Sequence, residues 1–322
     1  MERRTFLKQV FLGGASMMCG SDRSQASQQF TKPLRIIVPF PPGGVMDAAG
    51  RVIAQKLSLR VGQPVVVENK SGASGMIAAS FVAQSDPDGH TLLVMTSSIF
   101  LAVLLSKDPP VRISDLLPIT QLFDVGIGFA VASSLGVNDF AGFLKLAKEQ
   151  PGKLSYGSYG TGTGGHIIAE VINKRTDTQL VHVPYRGEAP AVTDLLGGQI
   201  SAVWGSMGSL SQHPEKMKVV AVSNPRRMTQ FPDVPTLVEL GLDLGTLSTW
   251  GGVFTSQKTP AAIAKRLAEE IDEVMAMPDV QQRMRDFGYE PLSQRRLPFS
   301  AVVNEQASAW KSAIEEAKIA IE

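Results

Sequence analysis

Cysteine is nearly missing from this sequence. The single thiol, Cys19, cannot form an internal disulfide and is badly placed to be a nucleophile. Long apolar runs are missing too: the N-terminal stretch Val10 to Met18 covers nine residues, where a bilayer span needs about 20. There is no charge excess, with 31 Lys and Arg against 30 Asp and Glu, so nothing supplies the dense positive field that nucleic acid requires. Metal-binding spacing is absent. His90, His166, His182 and His213 form no His-x3-His or His-Glu-x-x-His pattern, which argues against zinc chemistry. Gly-x-Ser-x-Gly, the Walker A loop and the dinucleotide fingerprint are likewise missing, so no serine triad, nucleotide site or cofactor is read.

The N-terminus reads as an export signal. Arg3-Arg4-Thr5-Phe6-Leu7-Lys8 precedes the apolar stretch, and Ser24-Gln25-Ala26 makes a small-x-small cleavage site. The arginine pair suggests the twin-arginine route. Ser16-Met17-Met18 before Cys19 is a poor lipobox, so cleavage after Ala26 ranks above lipid attachment. Removing residues 1–26 leaves 27 basic against 28 acidic side chains. The expectation is a monomeric protein secreted into the periplasm.

The remaining chain alternates strand and helix. Leu34 to Phe40 reads as a strand, Pro41-Pro42-Gly43-Gly44 as a turn, and Val45 to Leu59 as an amphipathic helix. Strands at Pro64 to Glu68 and Thr91 to Thr96 flank a helix at Met76 to Gln84, as in a parallel α/β sheet. The pattern then restarts: helix Phe140 to Glu149, strand Leu154 to Gly157, and the glycine-rich Ser158 to Gly165 opening a helix through Asn173. Two such units predict an α/β, two-lobed periplasmic-binding-protein-like fold with a ligand cleft between the lobes. Lobe 1 is expected to hold residues 27–124 and 251–322, and lobe 2 residues 125–250. In the tail, Thr259 is expected to cap a helix with Pro260 at its first position, and a second helix is expected from about Pro298.

Both glycine turns hand a strand to a helix, where backbone N–H groups and the helix dipole favour an anion. Asp47, in the first turn of its helix, either shapes the loop or touches a ligand. The same two roles are open to His166 after the second turn. Tyr185-Arg186-Gly187 either places a cation beside a bound anion or ends as a surface turn.

The chain resembles the tripartite tricarboxylate transporter solute-binding family, the Bug receptors. The resemblance rests on Ile36 to Gly44 with Asp47, Gly62 to Lys70, Asp86-Pro87-Asp88-Gly89, Gly160-Thr161-Gly162 with His166, His182 to Gly187, Asp194 to Gln199, and Pro232 to Thr236. It implies a protein that closes two lobes on a small carboxylate and delivers it to membrane transporter subunits. Position by position, it implies a site of Phe40, Gly43, Gly44 and Asp47 from the first turn. The second turn gives Ser158, Gly160, Thr161, Gly162, Thr163 and His166, with Ser97 and Tyr185 to Gly187 lining the cleft. Ser201 and the segment Trp204-Gly205-Ser206 depart from the family's usual residues; Trp204 would either narrow the pocket or stack on a ring, or else belong to the core. A sensor partner of a signalling system and an α/β enzyme acting on an anionic substrate are the rival readings.

Overall fold

The structure, a computed structural model, describes residues 30–244, 247, 249–292 and 298–319; the expected export signal lies outside them. The chain runs β1 (Leu34–Val38), α1 (Val45–Val61), β2 (Val65–Asn69), α2 (Met76–Ala83), β3 (Thr91–Thr96), α3 (Ser98–Leu105) and β4 (Leu116–Val125). It continues through β5 (Ile127–Ala132), α4 (Phe140–Glu149), β6 (Ser155–Ser158), α5 (Gly164–Thr176), β7 (Val181–Pro184), α6 (Glu188–Leu196), β8 (Ala202–Ser206), α7 (Met207–Leu210) and β9 (Met217–Val222). The last elements are β10 (Thr249–Ser256), α8 (Ala261–Met275), α9 (Pro278–Asp286), β11 (Tyr289–Pro291) and α10 (Phe299–Ala317).

These strands form two sheets, ordered β11-β4-β10-β3-β1-β2 and β7-β6-β8-β5-β9. The sheets are mixed, where the alternation of strands and helices predicts parallel ones. β1 pairs in parallel with β2 and β3, and β6 with β7 and β8. β10, however, returns from the second unit and inserts antiparallel between β3 and β4, while β5 runs antiparallel to β8 and β9. Only Gly126 separates β4 of one sheet from β5 of the other.

Period-2 alternation explains why β1 reads as a continuous apolar run: Ile36 packs with Ile53, Leu92 and Leu267, while Ile37 packs with Leu93, Phe100 and Phe254 on the opposite face. The second sheet buries Phe129, Phe143, Tyr156, Ile168 and Trp204 in its own cluster. α10 belongs to both. Its Phe299 and Val303 join the core of the first sheet, and its Trp310 and Ala313 join that of the second.

One expected cap is corrected. Pro260, extended at φ −57° and ψ 139°, itself occupies the N-cap of α8, and the helix starts at Ala261. The Thr259 hydroxyl turns instead toward that of Thr255, at 3.3 Å.

Candidate functional site

The two glycine turns open their helices in the same conformation. Gly43 and Gly162 hold φ of +84° and +75°, a left-handed backbone that glycine adopts without strain. The next residues, Gly44 and Thr163, are extended at φ −76° with ψ 166° and 162°, and serve as N-caps of α1 and α5. The lock on each turn is also the same. Gly43 N–H donates to Asp47 Oδ2 and Gly162 N–H donates to His166 Nδ1, both at 3.0 Å. Neither N-cap residue makes a side-chain cap, and apart from Gly165 N–H, which meets the Tyr159 hydroxyl, the first-turn amides that follow are left for another acceptor. Both turns lie at carboxyl ends of parallel strands, β1 and β6, where open α/β sheets bind ligands.

Asp47 is 3% exposed and its carboxylate is fully engaged. Besides Gly43 it accepts from Arg51 Nε at 3.0 Å and from Asn69 Nδ2 at 2.9 Å, and Asn69 also donates to Phe40 O at 3.0 Å. The Arg51 hydrogen bond, helped by Gly43 and Asn69 against the cost of burial, holds its pKa down at about 2. Of the two roles open to Asp47, these contacts are those of a residue that shapes the loop.

The second turn rests on two stacked imidazoles. His166 and His182 lie 3.9 Å apart and 13° from parallel, with Tyr156 stacked on the far side of His182 at 5.0 Å. His166 accepts at Nδ1, so its proton sits on Nε2. Burial lowers the pKa of His166, and burial with the neighbouring His166 lowers His182 to about 4. Ser158 Oγ lies 2.7 Å from His182 Nε2 and donates to Gly160 O at 3.0 Å; the consistent arrangement has His182 donating to Ser158. Thr163 Oγ1 donates to the same Gly160 O at 2.7 Å, which turns its hydroxyl back into the loop.

The other expected residues divide. Gly44 and Thr161 are exposed on their turns, and Gly160 and Gly187 carry φ of +142° and +116° beside them. Arg186 is exposed, without a side-chain partner among the described residues. Tyr185 donates from its hydroxyl to Asp194 at 2.7 Å, and burial followed by that bond pushes its pKa up to about 12. Ser97 is fully buried: its N–H donates to Trp250 O at 2.9 Å, and its Oγ accepts from Trp250 N–H at 3.4 Å. Trp204, 1% exposed, lies in the core against Phe129 and under Gly165 of α5. Sequence reading missed Asn69 and Glu188, whose partners lie 22 and 18 residues away and leave no local pattern. A separate cavity of about 520 Å³, lined by Lys32, Arg35, Phe81 and His90, opens beside the amino ends of β1 and β3, and none of the expected site residues lines it.

Two mixed sheets, each presenting a glycine turn and an uncapped helix start, define a two-lobed solute-binding protein of the periplasmic class. The chain belongs to the tripartite tricarboxylate transporter family of receptors, TctC, whose model matches residues 49–319. It is 32% identical over 309 residues to a protein in the tcbD-tcbE intergenic region of Pseudomonas sp. (strain P51), covering 94% of this chain and 92% of that one. It is also 32% identical to Protein BugT of Bordetella pertussis, over 88% and 89% of the two chains. Among solved structures it superposes on R. palustris Rpa4515 with adipate at a TM-score of 0.77, with 28% identity over 90% of this chain and 98% of that one. Malate-bound MatC from Rhodopseudomonas palustris gives 0.72, with 27% identity over 88% and 99%. No described helix is long and apolar enough to cross a membrane.

Proposed function

We propose that the protein captures a small carboxylate between its lobes as an extracytoplasmic receptor and hands it to the membrane subunits of a tripartite transporter. The observation that carries this reading is the pair of uncapped helix starts, α1 and α5, behind turns locked in one conformation. Each offers backbone N–H donors and a positive dipole end, so a carboxylate oxygen can replace water at either without an arginine clamp. Similar folds carry adipate and malate. Closure of the lobes would bring both donor sets onto one ligand.

Capture without turnover fits the side chains at the second turn. Ser158 and His182 are in contact, as a nucleophile and base would be. Ser158, however, is fully buried and its hydroxyl is bonded within the loop, and His182 is sandwiched between Tyr156 and His166. A substrate has no approach to that hydroxyl.

Thermal unfolding against a panel of mono- and dicarboxylates tests the reading. A ligand at 100 times its Kd stabilises the folded state by about 2.7 kcal/mol. Gly44→Val should fold normally, since a Cβ there meets only Pro41 O at 3.6 Å, and should abolish the shift by covering the α1 amides. A shift that survives in Gly44→Val places binding elsewhere.

A further inference from the structure

Glu188, the first residue of α6, is a partly buried carboxylate with no part in either glycine turn. It docks on the segment Trp204-Gly205-Ser206, where the sequence departs from the family pattern. Its Oε1 accepts from Ser206 N–H and, at 3.0 Å, from the Ser206 hydroxyl, which also lies 3.1 Å from Oε2. A Cβ on Gly205 would collide with Oε1, so the carboxylate fills the space that any other residue at 205 would claim. Gly205 follows Trp204, whose side chain takes the other face of β8 and lies under Gly165 of α5. Glu188 thus sits at the carboxyl end of β8, across the strand from the second helix start.

The Ser206 segment on which Glu188 docks also borders the first sheet. Gly208, two residues after Ser206, abuts the backbone of Gly288, the built Cβ of one lying 2.9 to 3.4 Å from the Cα of the other. That contact brings Tyr289 up to the Ser206 segment, and its hydroxyl reaches Met46 Sδ in the first turn of α1, at 3.7 Å. Tyr159 completes the belt: its ring lies against Gly164 and Gly165, and Gly165 N–H donates to its hydroxyl. The Glu188 charge is felt at both phenols, adding to burial in raising them. A line from the start of α1 to the start of α5 thus passes Tyr289, Glu188 and Tyr159.

An ionised carboxylate only accepts hydrogen bonds and has about four sites for them. The donors to Glu188 among the described residues, Ser206 and Ser209, all come from the β8–α7 side. No cationic side chain pairs with Glu188 among the described residues, and burial raises its pKa against the pull of those donors. Resting on the capture reading above, we propose that Glu188 sets specificity, selecting a carboxylate ligand that also carries a hydroxyl or ammonium donor on the adjacent carbon. A plain carboxylate brings no donor to the remaining acceptor capacity of Glu188 and places two like charges side by side.

The test uses the wild-type chain with acids differing only at the 2-position, bearing H, OH or NH3+, at three, four and six carbons: propionate, lactate and alanine; succinate, malate and aspartate; adipate, 2-hydroxyadipate and 2-aminoadipate. Calorimetry should show at least a tenfold preference for a donor-bearing member of one series over its parent acid. Glu188→Gln should erase that preference while leaving the parent acid bound as well or better. In wild type the ammonium preference should also shrink between pH 8 and pH 5, a readout that survives if the variant fails to fold. Equal ratios in wild type and Glu188→Gln, or a wild type that prefers the parent acid, overturn the proposal and leave the capture reading standing. If no acid in the set binds, both are overturned.

Discussion

Asp124 and Glu290 stand directly opposite each other, on the antiparallel strands β4 and β11, at the end of β4 from which the chain passes into the second sheet. Glu290 is occupied by the second unit, accepting from Thr229 N–H at 2.9 Å and from its hydroxyl at 2.8 Å. Asp124 accepts from Gln121 Nε2 at 2.8 Å. Its burial, with the Glu290 charge and against the pull of Arg226 and Gln121, raises its pKa to about 6.

A carboxyl raised from 3.8 to about 6 supports the fold when protonated, fully below pH 3.8, and loses that contribution as pH rises through 6. Asp124→Asn should therefore gain about 1–2 kcal/mol at pH 7–8, allowing for solvent screening. Urea melts of wild type and variant across pH 4–8 measure this, and parallel profiles would reject it.

The stacked histidines act in the opposite sense. His182, lowered from 6.5 to about 4, supports the fold while neutral, so its contribution is intact above pH 6.5 and is lost as pH falls through 4. The loss should reach up to about 3 kcal/mol. Protonation of the neighbouring His166 would also break the Gly162 lock, so carboxylate affinity should fall with stability. Imidazole titrations by NMR would contradict this if either ring titrated near 6.5.

Asp47→Ala removes the acceptor of three donors, Gly43, Arg51 and Asn69, and should cost about 1–3 kcal/mol. With a folded pKa near 2 against 3.8, its contribution is present above pH 3.8 and lost as pH falls toward 2, so the cost should be constant from pH 5 to 8. Hydrogen exchange at Gly43 should rise in the variant. Asp47→Asn, which keeps one acceptor, should fall between the two.

Trp310→Ala should destabilise by about 3–5 kcal/mol through the core of the second sheet, although Trp310 follows residues that pack on the first. Denaturation followed at Trp204, which shares that core with Trp310, reads the effect.

Elements with strong local patterning were legible from the sequence. Residues 91–96 and 140–149 form the expected elements, and both glycine turns open helices where spacing predicts them. α3 was not legible, because Ser98 to Leu105 is apolar on every face and has no period to detect. The antiparallel pairing of β10 was hidden for another reason: Val253 pairs with both Val94 and Thr120, and nothing local encodes partners more than 130 residues away. At the site, glycine and anion logic located the turns but did not show that Asp47 and His166 serve their own loops. Glu188 escaped because its meaning depends on the missing Cβ of Gly205.

The place of α10 bears on how the chain comes into being. The second unit precedes α10 in the chain, yet its core is open until Trp310 and Ala313 of that helix arrive. Synthesis from the amino end therefore leaves that apolar surface uncovered until α10 has been added, and a partner that shields it would be needed from the second unit's synthesis until then.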